Sequence, residues 1–431
     1  MPTQAPSGPI SAAQEWRNNW TLVLAGMIGL TVGVLPSATL GLFMQPLSAA
    51  FGWSRTQVSL GLTVFALISL PLMPFAGMLV DRLGPRRVAL PGLLLSGVCF
   101  AAFGLMTGSY LQWIALWVAY TFASLMTRSL VFSSAISAAF SEGRGLALAV
   151  LLCGTAIAMS LGPTMARLLI EKWGWRGGYI GIGIGWDGLA LLLAVLFFRD
   201  VKGTDGAAPR PVSFGPAQLP GGLTLREAVR SRPMIRIAIA VFLQSVMGTA
   251  AMVHLVPMLT HDGLTPAHAT TVAAILGVAS IAGMLTTGWL IDRVYGGLMP
   301  VIGFGGPGVA CALLLQANGS VWLLSGAVFM IGYCAGAALQ LAVYLTTRYA
   351  GLRSFGAIFG VISSIMAGAA GIGPVLAATI FDMTGDYVLV LALGMPSSLL
   401  AGLAVFRLGS YPEFAPITPE RELSERPSPA V

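Results

Sequence analysis

The sequence predicts an all-α membrane protein with twelve transmembrane helices in two pseudo-symmetric six-helix bundles. Three observations carry that expectation. Of 431 residues, 56% are hydrophobic and only 9% are charged, whereas a soluble chain is about a quarter charged. Apolar stretches long enough to cross about 30 Å of hydrocarbon recur along the whole chain. Finally, markers in the first half return in the second half at one fixed spacing.

In chain order, residues 1–20 form a polar, proline-rich tail. The tail lacks the basic start, short apolar core and small-residue cleavage site of a secretory signal, so the first span is expected to be retained. Apolar stretches follow at 21–48, 57–80, 88–106, 111–139, 146–170 and 177–198, making a first bundle over 21–198. A linker over 199–233, rich in Gly, Pro and Arg, separates it from stretches at 234–259, 267–290, 298–316, 321–347, 356–382 and 387–407. These make a second bundle over 234–407, and 408–431 is a polar tail. Ser54-x-x-Gln57 is a capping-box pattern opening the second span, and Thr265-Pro266 places an N-cap and a first-turn proline before the eighth. Gly162-Pro163 and Gly373-Pro374, deep in spans 5 and 11, are expected to kink their helices, because proline removes a backbone donor and crowds the preceding turn.

The repeat is visible in two pairs. GMLVDRLGPRR (77–87) is echoed by GWLIDRVYGG (288–297), with Asp81 and Asp292 separated by 211 residues, and Gly162-Pro163 and Gly373-Pro374 are separated by the same 211. A duplicated six-helix unit explains both. Orientation follows from the basic residues, of which 18 of 23 fall on the side holding both termini. By the positive-inside rule that side is the cytoplasm, so the expectation is a multi-pass inner-membrane protein with both termini cytoplasmic.

Several function classes are excluded. Cys99, Cys153, Cys311 and Cys334 lie far apart in apolar runs, and no histidine pair has metal-ligand spacing with an acid or thiol, so no metal is expected. The basic residues sit in loops and beside helix ends rather than on a face with interleaved aromatics, which argues against nucleic acid. Gly183-x-Gly185-x-x-Gly188 lies inside a span, where close helix packing explains it better than a dinucleotide loop. No nucleophile, cofactor site or nucleotide loop supports an enzyme. The partners expected are the bilayer and a small solute, with the chain acting as a monomer.

The segment Gly77-x-Leu79-x-Asp81-Arg82-x-Gly84-x-Arg86-Arg87 resembles the helix 2–3 signature of the major facilitator superfamily. Its degenerate copy at Asp292-Arg293 and the six-plus-six layout extend the resemblance over essentially the whole chain. FGWSRTQVS (51–59), RGLALAV (144–150), HLVPMLTHDG (254–263) and RSFGAIFG…GP…FDMTGDY (353–387) are similar to bacterial monocarboxylate-porter relatives. The resemblance implies alternating access. It also implies an inner gate of Gly77, Asp81, Arg82, Gly84, Arg86 and Arg87, with Asp292 and Arg293 a weaker second copy. Proton-linked relatives commonly carry a lysine in helix 1 and an acid and an arginine in helix 8. Here helix 1 has no charge, and the matching helix 8 positions are Ser280 and Met284.

Within this frame, the candidate residues are the polar groups inside spans. Arg128 is the only charge in span 4 and falls with Tyr120, Ser124 and Thr127 on one polar stripe at helical spacing. An arginine at the bilayer centre costs roughly 2.5–3.5 kcal/mol on insertion scales, so one that persists has a partner or a wet cavity. The resemblance puts helix 4 on the central cavity, which makes Arg128 a candidate for a substrate carboxylate; the alternative is a structural contact with a neighbouring helix. Tyr333, Gln340 and Tyr344 share a face of span 10 and, with Ser280, are candidates for an opposite wall. Asp187, the only acid near the middle of a span, and His254 are candidates for proton coupling, against structural hydrogen bonding.

The expectation is a secondary active transporter for a small organic anion, a mono- or aromatic carboxylate, driven by its own gradient, a proton or a counter-substrate. The alternatives are efflux of an amphipathic compound and, in a different class, a non-transporting membrane receptor.

Overall fold

The computed structural model describes residues 12–140, 143–200, 221–291, 298–351, 353–409, 411–412 and 414, without the side chains at 74, 81, 289 and 291. Asp292 and Arg293 therefore lie outside the described residues, as does the Asp81 side chain. Helices dominate, in the order α1 (Ala12–Val32), α2 (Leu35–Phe51), α3 (Arg55–Leu83), α4 (Pro85–Ala102), α5 (Tyr110–Leu125), α6 (Ser129–Ala139), α7 (Arg144–Gly181) and α8 (Asp187–Phe197). After the linker come α9 (Leu225–Arg230), α10 (Arg232–His261), α11 (Pro266–Ile291), α12 (Leu298–Leu315), α13 (Val321–Ala350), α14 (Phe355–Thr384) and α15 (Val388–Val405).

Among the described residues, 11 helical stretches are long and apolar enough to cross a membrane. One of them, Arg144–Phe197, runs for 54 residues, more than twice what a bilayer requires. It divides at Gly174, whose φ of 68° and ψ of 178° are closed to residues with a Cβ. The twelve spans of the sequence are thereby recovered. Spans 1 and 4 are each made of two helices (α1–α2 and α5–α6), span 5 is α7 up to Gly174, and span 6 runs from there through α8.

Local chemistry places the ends. Ser54 caps α3 with both arms of the capping box formed, and Thr265 Oγ1 accepts from the His268 N–H at the start of α11. Gly162-Pro163 and Gly373-Pro374 sit inside α7 and α14. The two glycines share a packing role. A Cβ on Gly162 would press on Leu35 and Thr39 of α2, and one on Gly373 would collide with the Val246 carbonyl of α10. Each half thus packs its fifth span closely on its first.

By its contacts the chain forms two compact units. The first comprises Met1–Ala207 with Met252–Val278 and Pro374–Met383; the second comprises Ala208–Ala251, Ala279–Gly373 and Thr384–Val431. In the first unit an aromatic core centres on Phe103, which packs on Trp113, Trp117 and Tyr179, and Trp117 packs on Tyr120, with centroids 5.1–6.1 Å apart. A separate cluster around Leu22, Phe132, Phe140 and Phe198 packs α1 against α6 and α8.

Candidate functional site

Within the first unit, three interruptions of helical backbone meet. Span 1 breaks at Gly33–Val34, between α1 and α2. Span 4 breaks at Met126–Arg128, and span 6 passes through one wide turn at Ile182–Trp186 before α8. Irregular backbone at membrane depth has to be satisfied within the protein. Tyr120 Oη donates to the Val32 carbonyl at 2.9 Å and Trp186 Nε1 donates to Thr31 Oγ1 at 2.7 Å, so spans 4 and 6 both secure the broken end of α1. A Cβ on Gly33 would touch the Thr127 carbonyl at 3.7 Å, bringing the span 1 and span 4 breaks side by side.

The break in span 4 corrects the expectation of one continuous polar stripe. Tyr120 and Ser124 lie on α5. Thr127 lies in the turn, and Arg128 has extended backbone (φ −71°, ψ 158°) as the N-cap of α6. The physical cause is local. The Met126 and Thr127 N–H groups fold back onto Ala123 and Ser124 carbonyls, and Thr127 Oγ1 donates to Ser124 O at 3.1 Å. Gly92 of α4 leaves room for Met126, which a Cβ there would strike. The hydroxyls of Ser124 and Thr127 are both spent on their own backbone.

Arg128 emerges from this break. Its Nη2 donates to Ser69 Oγ of α3 at 3.0 Å, and its Cζ lies 4.9 Å from the centre of the Phe65 ring. Its Nε is buried without a hydrogen-bond partner. Asp187 is 2% exposed at the start of α8, with Oδ1 buried and unpartnered. Among the described residues neither Arg128 nor Asp187 forms an ion pair, so they are not each other's counter-charge; the buried Tyr120 lies within electrostatic reach of both. Unpaired polar atoms of this kind, inside a dry bundle, are expensive to retain.

Ser69 was not a candidate from the sequence, although a signal existed: it stands 211 residues before Ser280, the offset of the other repeat markers. Thr31 and Trp186 carried no such signal, because their bond joins positions 155 residues apart in the chain.

In the second unit α11 and α13 are in close contact. A Cβ on Gly336 would collide with the Ser280 carbonyl and one on Gly283 with the Tyr333 carbonyl. The Tyr333 hydroxyl lies 2.9 Å from Thr286 Oγ1, six residues along α11 from Ser280. Gln340 lies further along α13 and is half-buried. Tyr344 belongs to another group, at the end of α13, where its ring centre is 6.4 Å from that of Tyr411 and 5.7 Å from Arg348 Cζ.

The remaining candidates sit at the two ends of the first unit's helices. Gly84 has φ 84° and ends α3, donating its N–H to Val80 O. Arg86 is anchored on the end of span 6: its N–H donates to Asp200 Oδ1 and its Nη2 to Val195 O, both at 2.9 Å. Arg82 and Arg87 are exposed, and Gly77 faces Leu130 of α6. At the opposite end His254 is fully buried with Nε2 2.9 Å from the Pro374 carbonyl. Beyond it, Asp382 of α14 accepts from the N–H groups of Arg55 (3.1 Å) and Thr56 (2.8 Å) and from Thr56 Oγ1 (2.6 Å) at the start of α3. Arg55 stacks over Phe381 at 3.6 Å, and the Thr56 and Thr379 hydroxyl oxygens lie 3.2 Å apart, where Thr56 can accept. These contacts tie the end of span 2 to span 11.

Twelve spans in two related sets of six, with broken helices and an unneutralised arginine at membrane depth, define a multispan membrane transporter. The chain belongs to the Major Facilitator Superfamily, whose family model matches residues 22–318 and 255–430. It is 26% identical to monocarboxylate transporter 13 of Rattus norvegicus over 85% of this chain and 83% of that one. It is 27% identical to monocarboxylate transporter 12-B of Danio rerio, over 73% and 71%. Its fold matches the crystal structure of a bacterial homolog to the human lysosomal transporter Spinster, in an inward-facing and unoccupied conformation, with a TM-score of 0.67 at 16% identity over 95% and 98% of the two chains. The protein is thus a transporter of the Major Facilitator Superfamily that is similar to monocarboxylate transporters, and not an enzyme.

Proposed function

We propose that the protein moves a small organic anion, a mono- or aromatic carboxylate, across the cytoplasmic membrane by alternating access, with both termini cytoplasmic. The observation that carries this reading is Arg128: a guanidinium at a helix break inside a span, held by Ser69 through one nitrogen and with no acid paired to it among the described residues. A planar fork with donors to spare matches a carboxylate, and a carboxylate is the partner that repays its desolvation. Ser69 and Phe65 fix the fork, so its direction is set before the anion arrives.

Coupling is assigned to the unpaired Asp187, as the proton carrier, or to exchange. His254 is committed to the Pro374 carbonyl and serves the closed outer end, as do Asp382, Arg55 and Thr56. The Asp81–Arg87 loop serves the inner gate. The test is uptake of pyruvate and of benzoate into proteoliposomes at two pH values, by the wild type and by Arg128→Lys and Arg128→Ala. Arg128→Ala is expected to abolish saturable uptake and Arg128→Lys to raise KM at least tenfold. Unchanged KM in both variants overturns the carboxylate role.

A further inference from the structure

The linker does not run straight into span 7. Before it stands the short helix α9, capped by Thr224 and Glu227: the Glu227 N–H donates to Thr224 Oγ1 at 3.4 Å and the Thr224 N–H to Glu227 Oε2 at 2.8 Å. Ala228 is buried against Met234 and Ile237, which pins α9 to the start of α10. Leu225 and Val229, one turn apart, are left 39% and 59% exposed. They form one wall of an apolar groove of about 420 Å³ that continues along Ile235, Ile239 and Phe242 of α10 to Ile362 of α14.

Arg226 and Arg230 stand on the adjacent face of α9, with Arg232 just beyond, and all three are exposed. Among the described residues none of the three makes a hydrogen bond or an ion pair. Two nearby charges are already engaged. Glu227 is spent on the cap, and Arg236 donates to the carbonyls of Ala404, Leu403 and Arg407 and, most closely at 2.5 Å, Phe406. Three guanidinium groups, unpartnered among the described residues, are therefore chain neighbours of the groove-lining Leu225, Val229 and Met234, and the groove runs along two spans.

We propose that this groove is a binding site for an anionic phospholipid, its phosphate held by Arg226, Arg230 and Arg232 and one acyl chain lying between α10 and α14 beneath α9. The charge pattern selects the occupant. An apolar groove alone takes any acyl chain, whereas three cations unpartnered among the described residues select a headgroup of net negative charge. α9 has the composition of an interfacial helix, with apolar residues on one side and arginine beside them. In the orientation proposed above, the site faces the leaflet that carries most of the anionic lipid.

The test uses the full chain in detergent, equilibrated with equal amounts of phosphatidylglycerol and phosphatidylcholine of identical acyl chains, with retained lipid counted by native mass spectrometry. The wild type is expected to retain phosphatidylglycerol selectively. Arg226→Gln/Arg230→Gln/Arg232→Gln should lower that selectivity at least tenfold, since each basic residue near the surface contributes about fivefold. Ile239→Trp, which fills the groove and leaves the arginines in place, should lose the bound lipid as well, whereas Lys172→Gln at the other end of the spans should behave as wild type. Equal retention of the two lipids by the wild type overturns the proposal, as does a triple variant that keeps the preference. Displacement of the lipid by glycerol 3-phosphate alone, or undiminished retention by Ile239→Trp, overturns the acyl-chain part. None of these outcomes depends on Arg128 or on what is transported.

Discussion

Arg128 shows how one residue type can be legible while its setting is not. A lone charge in an apolar run is conspicuous in any sequence, because the cost of burying it is so high. What surrounds it is ordinary in composition: Ser69 is one serine in an apolar span, and a hydroxyl there more often bonds its own helix. The bond between them at 3.0 Å nevertheless sets where the guanidinium points. Ser69→Ala is therefore expected to raise KM for the proposed carboxylate substrate several-fold and to leave the maximal rate near wild type. An Arg128 that acts only as structural glue would instead show a lower melting temperature with KM unchanged. Asp187 is the corresponding acid, buried, with its Oδ1 unpartnered among the described residues. If it carries the coupling proton, Asp187→Asn should remove the pH dependence of uptake and leave counterflow exchange intact.

At the scale of elements, helix boundaries at the membrane surface were visible and helix breaks within it were not. The Ser54 capping box and the Thr265-Pro266 start were readable because caps use a short menu of residues. The breaks in spans 1 and 4 use common residues, and apolar content stays high through both. Hydropathy therefore merges each pair of half-helices into one span. Their stability comes from partners far along the chain. Tyr120→Phe, which leaves the Val32 carbonyl without its donor, should cost about 1 kcal/mol and lower the melting temperature in detergent. Asp382→Ala removes the acceptor for two N–H groups at the start of α3, and loss of a cap of this kind costs about 0.5–2 kcal/mol. Thermal unfolding of the purified variants checks both, and an unshifted Tyr120→Phe would mean that the break is held by packing alone.

At the scale of the molecule, the repeat of 211 residues ties Asp81 to Asp292, Gly162 to Gly373 and Ser69 to Ser280. A transporter of this superfamily has to part and rejoin its outer end in each cycle if it works by alternating access. Thr56 and Thr379, with oxygens 3.2 Å apart, offer a direct test. Thr56→Cys/Thr379→Cys is close enough for a disulfide, so oxidation should stop uptake and reduction restore it. A crosslinked protein that still transports at the wild-type rate would overturn the assignment of these residues to a moving gate.

By itself the sequence determined what local composition and periodicity control: residence in the membrane, twelve spans, the duplication, the helix ends and the presence of an arginine inside span 4. These follow from transfer free energy and backbone chemistry, which each stretch of chain expresses alone. Only the tertiary structure decided which polar groups meet. Tyr120 reaches Val32, Trp186 reaches Thr31, Arg128 reaches Ser69 and Asp382 reaches the start of α3 across separations of 59 to 327 residues. The reason is that an apolar span constrains its own helix strongly and its neighbours hardly at all, so the pairing of scarce polar atoms is settled only when the spans pack.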